Sequence, residues 1–153
     1  MSGRIQLAIN VDNLDESIGF YGKLFGTGPA KVKPGYANFA IADPPLKLIL
    51  IENPGQGGSL NHLGVEVADT DAVDAEQHRL AQVGLASIDE RDTTCCYARQ
   101  NKFWVQGTPN GERWEIYTVL EDSQTFWGQD GEQNPAKEEA SPGRSAGAQQ
   151  CCG

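Results

Sequence analysis

Several features are scarce in this chain, and each absence narrows what it can do. The 153 residues contain no run of about eighteen apolar residues, so there is no candidate transmembrane helix. Basic residues number only 12 against 21 acidic ones and form no cluster, which disfavours nucleic acids and anionic membranes as partners. Residues 1–4 lack the basic-then-apolar pattern of a secretory signal, and we therefore expect a cytoplasmic protein.

The C-terminal part of the chain is short of large hydrophobic side chains. None follows Trp127 before the terminal Cys151-Cys152 pair. Such a segment buries too little apolar surface to offset the entropy lost on ordering. We therefore predict a folded domain over residues 1–120, the size of one ordinary domain, and a mostly disordered acidic tail over residues 121–153.

What the folded part does contain is an internal repeat, in which residues 5–11 align with residues 61–67. Each copy alternates apolar and polar residues as a strand does, and is followed by helix signals. Turn signals such as Asn110-Gly111 separate further strand patterns. We predict an α+β fold of two tandem βαβββ modules, about 4–53 and 60–120. The predicted helices are 14–25 and 70–83, and the strands 4–11, 36–42, 46–52, 61–67, 86–90, 97–106 and 113–119.

All four cysteines occur as adjacent pairs, Cys95-Cys96 and Cys151-Cys152. Consecutive Cα atoms lie about 3.8 Å apart, closer than is usual across a disulfide, so a bridge within either pair is strained. In a reducing compartment the default state is the thiol. Two neighbouring thiols form a soft, two-pronged ligand for thiophilic atoms. Chance adjacency is the alternative for each pair.

Alternation along the strands also places three metal-ligand types on faces turned away from the helices. Gln6 lies in the first strand, His62 in the strand that repeats it, and Glu115 in the last strand. An amide oxygen, an imidazole and a carboxylate that face one cavity predict a metal centre. Taken singly, each residue has an alternative role as an ordinary hydrogen-bonding side chain. Asn10 and Glu66 share these faces and are candidates for supporting contacts.

The repeat, with the Phe20-Tyr21 pair in its first helix, resembles the vicinal-oxygen-chelate superfamily of glyoxalases, extradiol dioxygenases and fosfomycin-resistance transferases. The resemblance implies a curved sheet around a metal cavity, with Gln6, His62 and Glu115 as ligands. Gln6 stands where that superfamily commonly has His. Glu52 ends the first module, where some glyoxalases supply a fourth ligand. Pairing of domains between chains is common in the superfamily, so a homodimer is also expected.

Three segments carry a closer resemblance, to the carbon–arsenic lyase branch of that superfamily, whose members are often called cadmium-induced proteins. They are residues 33–47, residues 60–66 and the Thr-Thr-Cys-Cys-Tyr-Ala stretch at 93–98. The resemblance implies iron(II)- and oxygen-dependent cleavage of the carbon–arsenic bond of trivalent organoarsenicals, such as methylarsenite and reduced aromatic arsenicals, with release of arsenite. Other divalent metals are expected to enter the same site.

In that interpretation Cys95 and Cys96 chelate the arsenic and take part in catalysis, and Tyr97 packs against an aromatic substituent. We expect the polar stretch 91–94 to be a mobile loop that carries the bound arsenical to the metal. Cys151-Cys152 is either a relay or an inert pair. Two alternatives remain open: a thiol-based cadmium- or arsenite-binding protein without turnover, and another metal-dependent enzyme of the same fold.

Overall fold

A computed structural model describes residues 1–124 and residue 126, and it confirms the two-module α+β architecture. The order βαβββ occurs twice along the chain. Neither helix of the described part is long and apolar enough to span a membrane. The first module contains β1 (Arg4–Val11), α1 (Leu14–Phe25), β2 (Lys31–Lys33), β3 (Tyr36–Ile41) and β4 (Leu46–Glu52). The second contains β5 (Leu60–Glu66), α2 (Thr70–Gln82), β6 (Ser87–Cys95), β7 (Ala98–Val105) and β8 (Trp114–Asp122).

The eight strands form one sheet in the order β2-β3-β4-β1-β5-β8-β7-β6. Each module pairs its first and last strands in parallel, and the modules join through the antiparallel pair β1–β5. Lys31 of β2 contacts the carbonyl of Tyr97 and the carboxylate of Asp122, which belong to the other half of the sheet. The sheet therefore curls into a half-barrel whose concave face is shared by both modules.

The two helices cover the outer face of this sheet. Asn13 begins α1 by accepting a hydrogen bond from the backbone N–H of Glu16, and Asp69 begins α2 in the same way. One core cluster lies beneath α1 and includes Phe39 and Leu50. A second lies beneath α2 and is built from Val65, Val67, Val73, Leu80, Phe103 and Ile116. Because the helices take up these apolar faces, the polar residues of the same strands are left on the concave side.

Two expectations about local structure were wrong. The short strand β2 was not predicted, and β6 does not end near residue 90 but continues to Cys95. Residues 91–94 therefore belong to a strand, interrupted only by a register shift between Glu90 and Thr93. β6 lies at the edge of the sheet, where a strand carries many polar side chains, and its sequence consequently has the composition of a loop.

The folded domain extends beyond its predicted end. β8 continues to Asp122, beyond the predicted boundary at residue 120. The backbone N–H of Ser123 then donates to the carbonyl of Tyr97, and the ring of Phe126 packs against Tyr36 and Tyr97. The first residues assigned to a disordered tail are thus part of the fold. Residue 125 and residues 127–153, with Cys151-Cys152, lie outside the described residues.

Candidate metal centre

The three predicted ligands meet on the concave face. β1, β5 and β8 are neighbours in the sheet, and Gly64 lies opposite both Gln6 and Glu115 in the strand register. A Cβ atom on Gly64 would lie 3.0 Å from Glu115 Cγ and 3.2 Å from Gln6 Nε2. The absence of a side chain at this glycine therefore leaves the space in which the two donor side chains approach His62.

The donor atoms lie at the separations that a metal ion requires. Gln6 Nε2 is 2.9 Å from His62 Nε2 and 2.8 Å from Glu115 Oε1, and His62 Nε2 is 3.2 Å from Glu115 Oε1. Three ligands about 2.1 Å from one ion, at right angles to each other, are about 3.0 Å apart. The amide presents its NH2 group here, and half a turn brings its oxygen to the same place. The three side chains therefore fit a divalent metal bound on one face.

The donor set is unusual because only two of its members are His, Cys, Asp or Glu. No three side chains of those types cluster as a metal site anywhere in residues 1–124 and 126. A metal at this place therefore depends on the Gln6 amide oxygen. Oxygen and imidazole donors suit divalent iron and manganese better than they suit soft ions.

His62 is held in the tautomer that a metal ligand needs. Its Nδ1 lies 2.9 Å from Asn61 Oδ1, while Asn61 Nδ2 donates to Asn10 Oδ1 at 3.0 Å. Because the Asn61 oxygen is thereby directed at the ring, Nδ1 carries the proton and donates it. The lone pair of Nε2 then points at Gln6 and Glu115, as a metal-binding imidazole requires. Asn10, a candidate for a supporting contact, supports His62 through Asn61.

Glu115 is fully buried and remains ionised because of its neighbours. Its Oε1 faces Gln6 and His62, while its Oε2 lies 3.1 Å from the Nζ of Lys102. Burial by itself raises the pKa of Glu115, but the Lys102 ammonium, His62 and Gln6 together lower it well below its ordinary value. One carboxylate oxygen is thus held by a lysine, and the other is presented to the metal position.

Lys102 and Tyr117 contact the candidate ligands Glu115 and Gln6, and the sequence-based interpretation gave neither of them a role. Lys102 is 1% exposed and also lies 4.9 Å from the centre of the Trp104 ring. The hydroxyl of Tyr117 lies 2.5 Å from Gln6 Oε1 and 3.1 Å from Glu66 Oε2. A signal was present for both, since strand alternation places Lys102 and Tyr117 on the cavity face. A lysine or a tyrosine on a strand often has its polar end in solvent, so strand alternation does not by itself indicate that either residue contacts a metal ligand.

A cavity of about 290 Å³ opens above the centre. Gln6, His62 and Glu115 line it, and so does Cys96. Cationic side chains, Lys31 and Lys47 among them, also face it. The structure therefore places one member of the predicted cysteine pair and the three predicted metal ligands around a single space.

The cysteine pair itself sits in a tight hairpin turn between β6 and β7. Cys95 ends β6, and Cys96 and Tyr97 form the turn with φ angles of 54° and 61°. Two successive left-handed residues are typical of a two-residue hairpin but are costly for side chains other than glycine. Lys31 and Ser123 both donate to the carbonyl of Tyr97 and so hold this turn. The cysteine pair is therefore held in a buried turn, and residues 91–94, the expected mobile loop, precede it as part of β6.

Both cysteines are buried, with Cys95 1% and Cys96 6% exposed. Their Sγ atoms are 3.1 Å apart, longer than the roughly 2.05 Å of a covalent S–S bond, so the two are not joined to each other. Neither cysteine is a free thiol in this structure, so chelation of one soft atom by the two sulfurs requires reduction first. Cys95 lies in an apolar cluster with Ile49 and Ile51, beside the cavity that Cys96 lines.

Tyr97 and Glu52, two further residues considered from the sequence, do not line the cavity. The Tyr97 ring packs against Tyr36, which lines the cavity, and its hydroxyl donates to the carbonyl of Pro34. Tyr97 thus forms the second layer behind the cavity wall. Glu52 accepts a hydrogen bond from the backbone N–H of Leu14 at 2.8 Å, at the start of α1. Glu52 is therefore not placed as a fourth ligand.

Comparison with known families identifies the class of protein. Residues 4–116 match the family model of the Glyoxalase/Bleomycin resistance protein/Dioxygenase superfamily. The chain belongs to this superfamily. The Mn(II)-bound glyoxalase from Novosphingobium aromaticivorans shares its fold with a TM-score of 0.54 at 14% identity, over 84% of this chain and 44% of that chain.

Relatives within the superfamily are much more similar in sequence. The cadmium-induced protein CadI of Mycobacterium tuberculosis (strain ATCC 25618 / H37Rv) is 64% identical over 123 residues, which cover 80% of each chain. The trivalent organoarsenical cleaving enzyme of Thermomonospora curvata is 60% identical over 124 residues, covering 80% of this chain and 82% of that one. The similarity to the carbon–arsenic lyase branch is therefore confirmed at the level of named relatives.

Proposed function

We propose that this protein is a non-heme iron enzyme that uses iron(II) and dioxygen to cleave the carbon–arsenic bond of trivalent organoarsenicals, with release of arsenite. The observation that carries the proposal is the shared cavity: a vicinal cysteine borders the same space as Gln6, His62 and Glu115. The relative from Thermomonospora curvata, named for organoarsenical cleavage, supports it.

Substrate capture is assigned to the reduced cysteine pair. Trivalent arsenic is soft and prefers thiolate ligands. Two As–S bonds to Cys95 and Cys96 form as two As–O bonds break; the two thiol protons leave with the two hydroxyl groups as water, and the organic substituent stays on the arsenic. Because Cys96 faces the cavity, this substituent is directed toward the metal position. Tyr36, backed by Tyr97, provides an aromatic wall for it.

Gln6, His62 and Glu115 would hold the metal, which when it is iron(II) supplies the chemistry that activates dioxygen. The proposed reaction balances without an external reductant: CH3As(OH)2 + O2 → As(OH)3 + CH2O. The carbon fragment is oxidised and dioxygen is reduced. Lys102 keeps Glu115 ionised throughout, and Asn61 keeps the proton of His62 on Nδ1, away from the metal position.

An aerobic assay with iron(II) and methylarsenite, repeated without oxygen, tests the proposal. The protein is first reduced with a monothiol, which is then removed, and arsenite is measured by chromatography. Arsenite that forms only with both iron and oxygen is the expected result. Replacing Cys96 with Ser, or Glu115 with Gln, should abolish it. Glu52→Gln is the matched carboxylate-to-amide control and should retain activity, because Glu52 contacts α1.

A second candidate function is sequestration of cadmium or arsenite by the thiols without turnover. The similarity to a protein named for its induction by cadmium favours it. Cadmium binding that survives Glu115→Gln but is lost in Cys95→Ser, with no oxygen uptake on adding methylarsenite, would establish this function instead. A reducing cytoplasmic location and a homodimer belong to the proposal in either case; fractionation and light scattering test them.

A further inference from the structure

The amide of Gln6 lies between two sets of partners that compete for its orientation. Its Nε2 faces His62 Nε2 and Glu115 Oε1, and its Oε1 faces the hydroxyl of Tyr117 at 2.5 Å. That hydroxyl is also 3.1 Å from Glu66 Oε2. Gln6 and Tyr117 are 2% and 0% exposed, so water does not satisfy either group.

On the outer side of the Gln6 amide, where Tyr117 and Glu66 lie, this orientation leaves one acceptor without a proton. A tyrosine hydroxyl has one proton to donate, yet Gln6 Oε1 and Glu66 Oε2 both accept from Tyr117. If the amide makes half a turn, Gln6 Nε2 donates to the Tyr117 oxygen, and Tyr117 gives its only proton to Glu66. Every polar group on the outer side then has a partner.

On the inner side of the amide, where His62 and Glu115 lie, the same half-turn removes hydrogen bonds. It brings the Gln6 oxygen against His62 Nε2 and Glu115 Oε1, at the 2.9 Å and 2.8 Å separations now held by the nitrogen. Three lone-pair donors would then face one point, which only a cation stabilises. His62 and Glu115 thus favour the NH2 group of Gln6 in the metal-free protein and its oxygen in the metal-bound protein. Tyr117 and Glu66 favour the orientation with the oxygen toward the metal position in both states.

Glu66 is fixed as the acceptor at the end of this chain of hydrogen bonds. Its Oε2 forms ion pairs with Arg4 and Lys47, both at 3.1 Å. We propose that Tyr117, anchored by Glu66, is a positioning residue that turns the Gln6 amide oxygen toward the metal. A histidine in place of Gln6 has no amide to turn, since one ring nitrogen presents a lone pair once the other carries the proton. The inference rests on the metal centre of the proposed function and concerns metal affinity alone.

Cobalt(II) titration of the metal-free protein, followed by absorption and by competition with a chelator, tests this role without any turnover. Tyr117→Phe should weaken cobalt(II) binding roughly 10- to 100-fold, as is typical for loss of an outer partner of a metal ligand. Tyr36→Phe is the matched control. Tyr36 is a buried tyrosine of the same cavity, and its hydroxyl accepts a hydrogen bond from Asn38 Nδ2. The cobalt(II) affinity of Tyr36→Phe should differ from that of the unchanged protein by less than about twofold.

A double-mutant cycle separates positioning from general structural support. In a Gln6→His background the ligand has no amide to orient, so Tyr117→Phe should there leave cobalt(II) affinity nearly unchanged. An equal loss in both backgrounds, or no loss in either, would overturn the proposal. If Tyr117→Phe does not fold, Glu66→Gln serves instead: weaker cobalt(II) binding supports the proposal, and unchanged binding refutes it. If the cycle shows the expected coupling between Gln6 and Tyr117 in cobalt(II) affinity but the protein releases no arsenite, the proposed activity is rejected and the role of Tyr117 stands.

Discussion

Replacing Lys102 with Met is the most informative perturbation of the electrostatics of this centre. Lys102 lies 3.1 Å from Glu115, and among the described residues only His62 also lies within ion-pair distance of that carboxylate. Methionine keeps an unbranched side chain but removes the ammonium, which lies 4.9 Å from the centre of the Trp104 ring. In the metal-free variant the buried Glu115 carboxylate loses its lysine partner.

The cost follows from the burial of the pair. The side chains of Lys102 and Glu115 are 1% and 5% exposed, so water screens their interaction very little. Removing one partner of a buried ion pair costs about 3–5 kcal/mol. For a domain of this size, that loss lowers the melting temperature by roughly 10–20 °C. The control is Arg91→Met, whose partners Asp74 and Asp89 are 58% and 55% exposed; such surface pairs contribute about 0–1 kcal/mol each.

Urea unfolding followed by tryptophan fluorescence measures both variants, with Trp104 as a reporter next to the mutated site. Cobalt(II) should stabilise Lys102→Met more than the unchanged protein at the same concentration, because the ion supplies the positive charge that Glu115 has lost. A loss of less than about 1 kcal/mol in the metal-free variant would refute the buried-pair argument. Equal stabilisation by cobalt(II) would show that the metal does not bind beside Glu115.

Three further substitutions test the neighbourhood of the site. Gly64→Ala adds a methyl group that displaces two of the donors, so metal affinity should fall at least tenfold in a cobalt(II) titration, with a stability loss of about 1–3 kcal/mol. Asn61→Ala frees the His62 ring and should weaken cobalt(II) binding roughly 10-fold without affecting arsenite capture by thiols, measured by mass spectrometry. Gly19→Ala lies in α1 with open space around its Cβ and should raise the free energy of unfolding by about 0.5–1 kcal/mol; a decrease would contradict the helix assignment.

The fold was largely predictable because its signals are local and repeated. Period-two alternation in residues 5–11 and 61–67, each followed by helix signals, is enough to define two copies of one unit. The failures occur where local signals are weak. β2 has three residues, and β6 is an edge strand whose polar residues imitate a loop. Phe126 packs onto Tyr36 only because the curled sheet brings β8 and β3 together, which no local pattern indicates.

The candidate site divides in the same way. Alternation was sufficient to place Gln6, His62 and Glu115 on one face, since the direction of a side chain in a strand depends only on its position. The roles of Lys102 and Tyr117 depend on distances between different strands. A lysine on a strand is ordinarily solvated, and only the packing of Lys102 against Trp104 and Glu115 makes it part of the centre.

The order of residues is therefore enough to predict the tandem βαβββ architecture, the donor types and the adjacency of Cys95 and Cys96. These are properties of the order of residues along the chain. Three features could be seen only in the folded chain: Cys96 and the three donors border one cavity, Glu52 accepts a hydrogen bond at the start of α1, and Cys96 and Tyr97 form a buried turn. Each of these depends on how the sheet curls, because curvature sets the distances between strands that are remote in sequence.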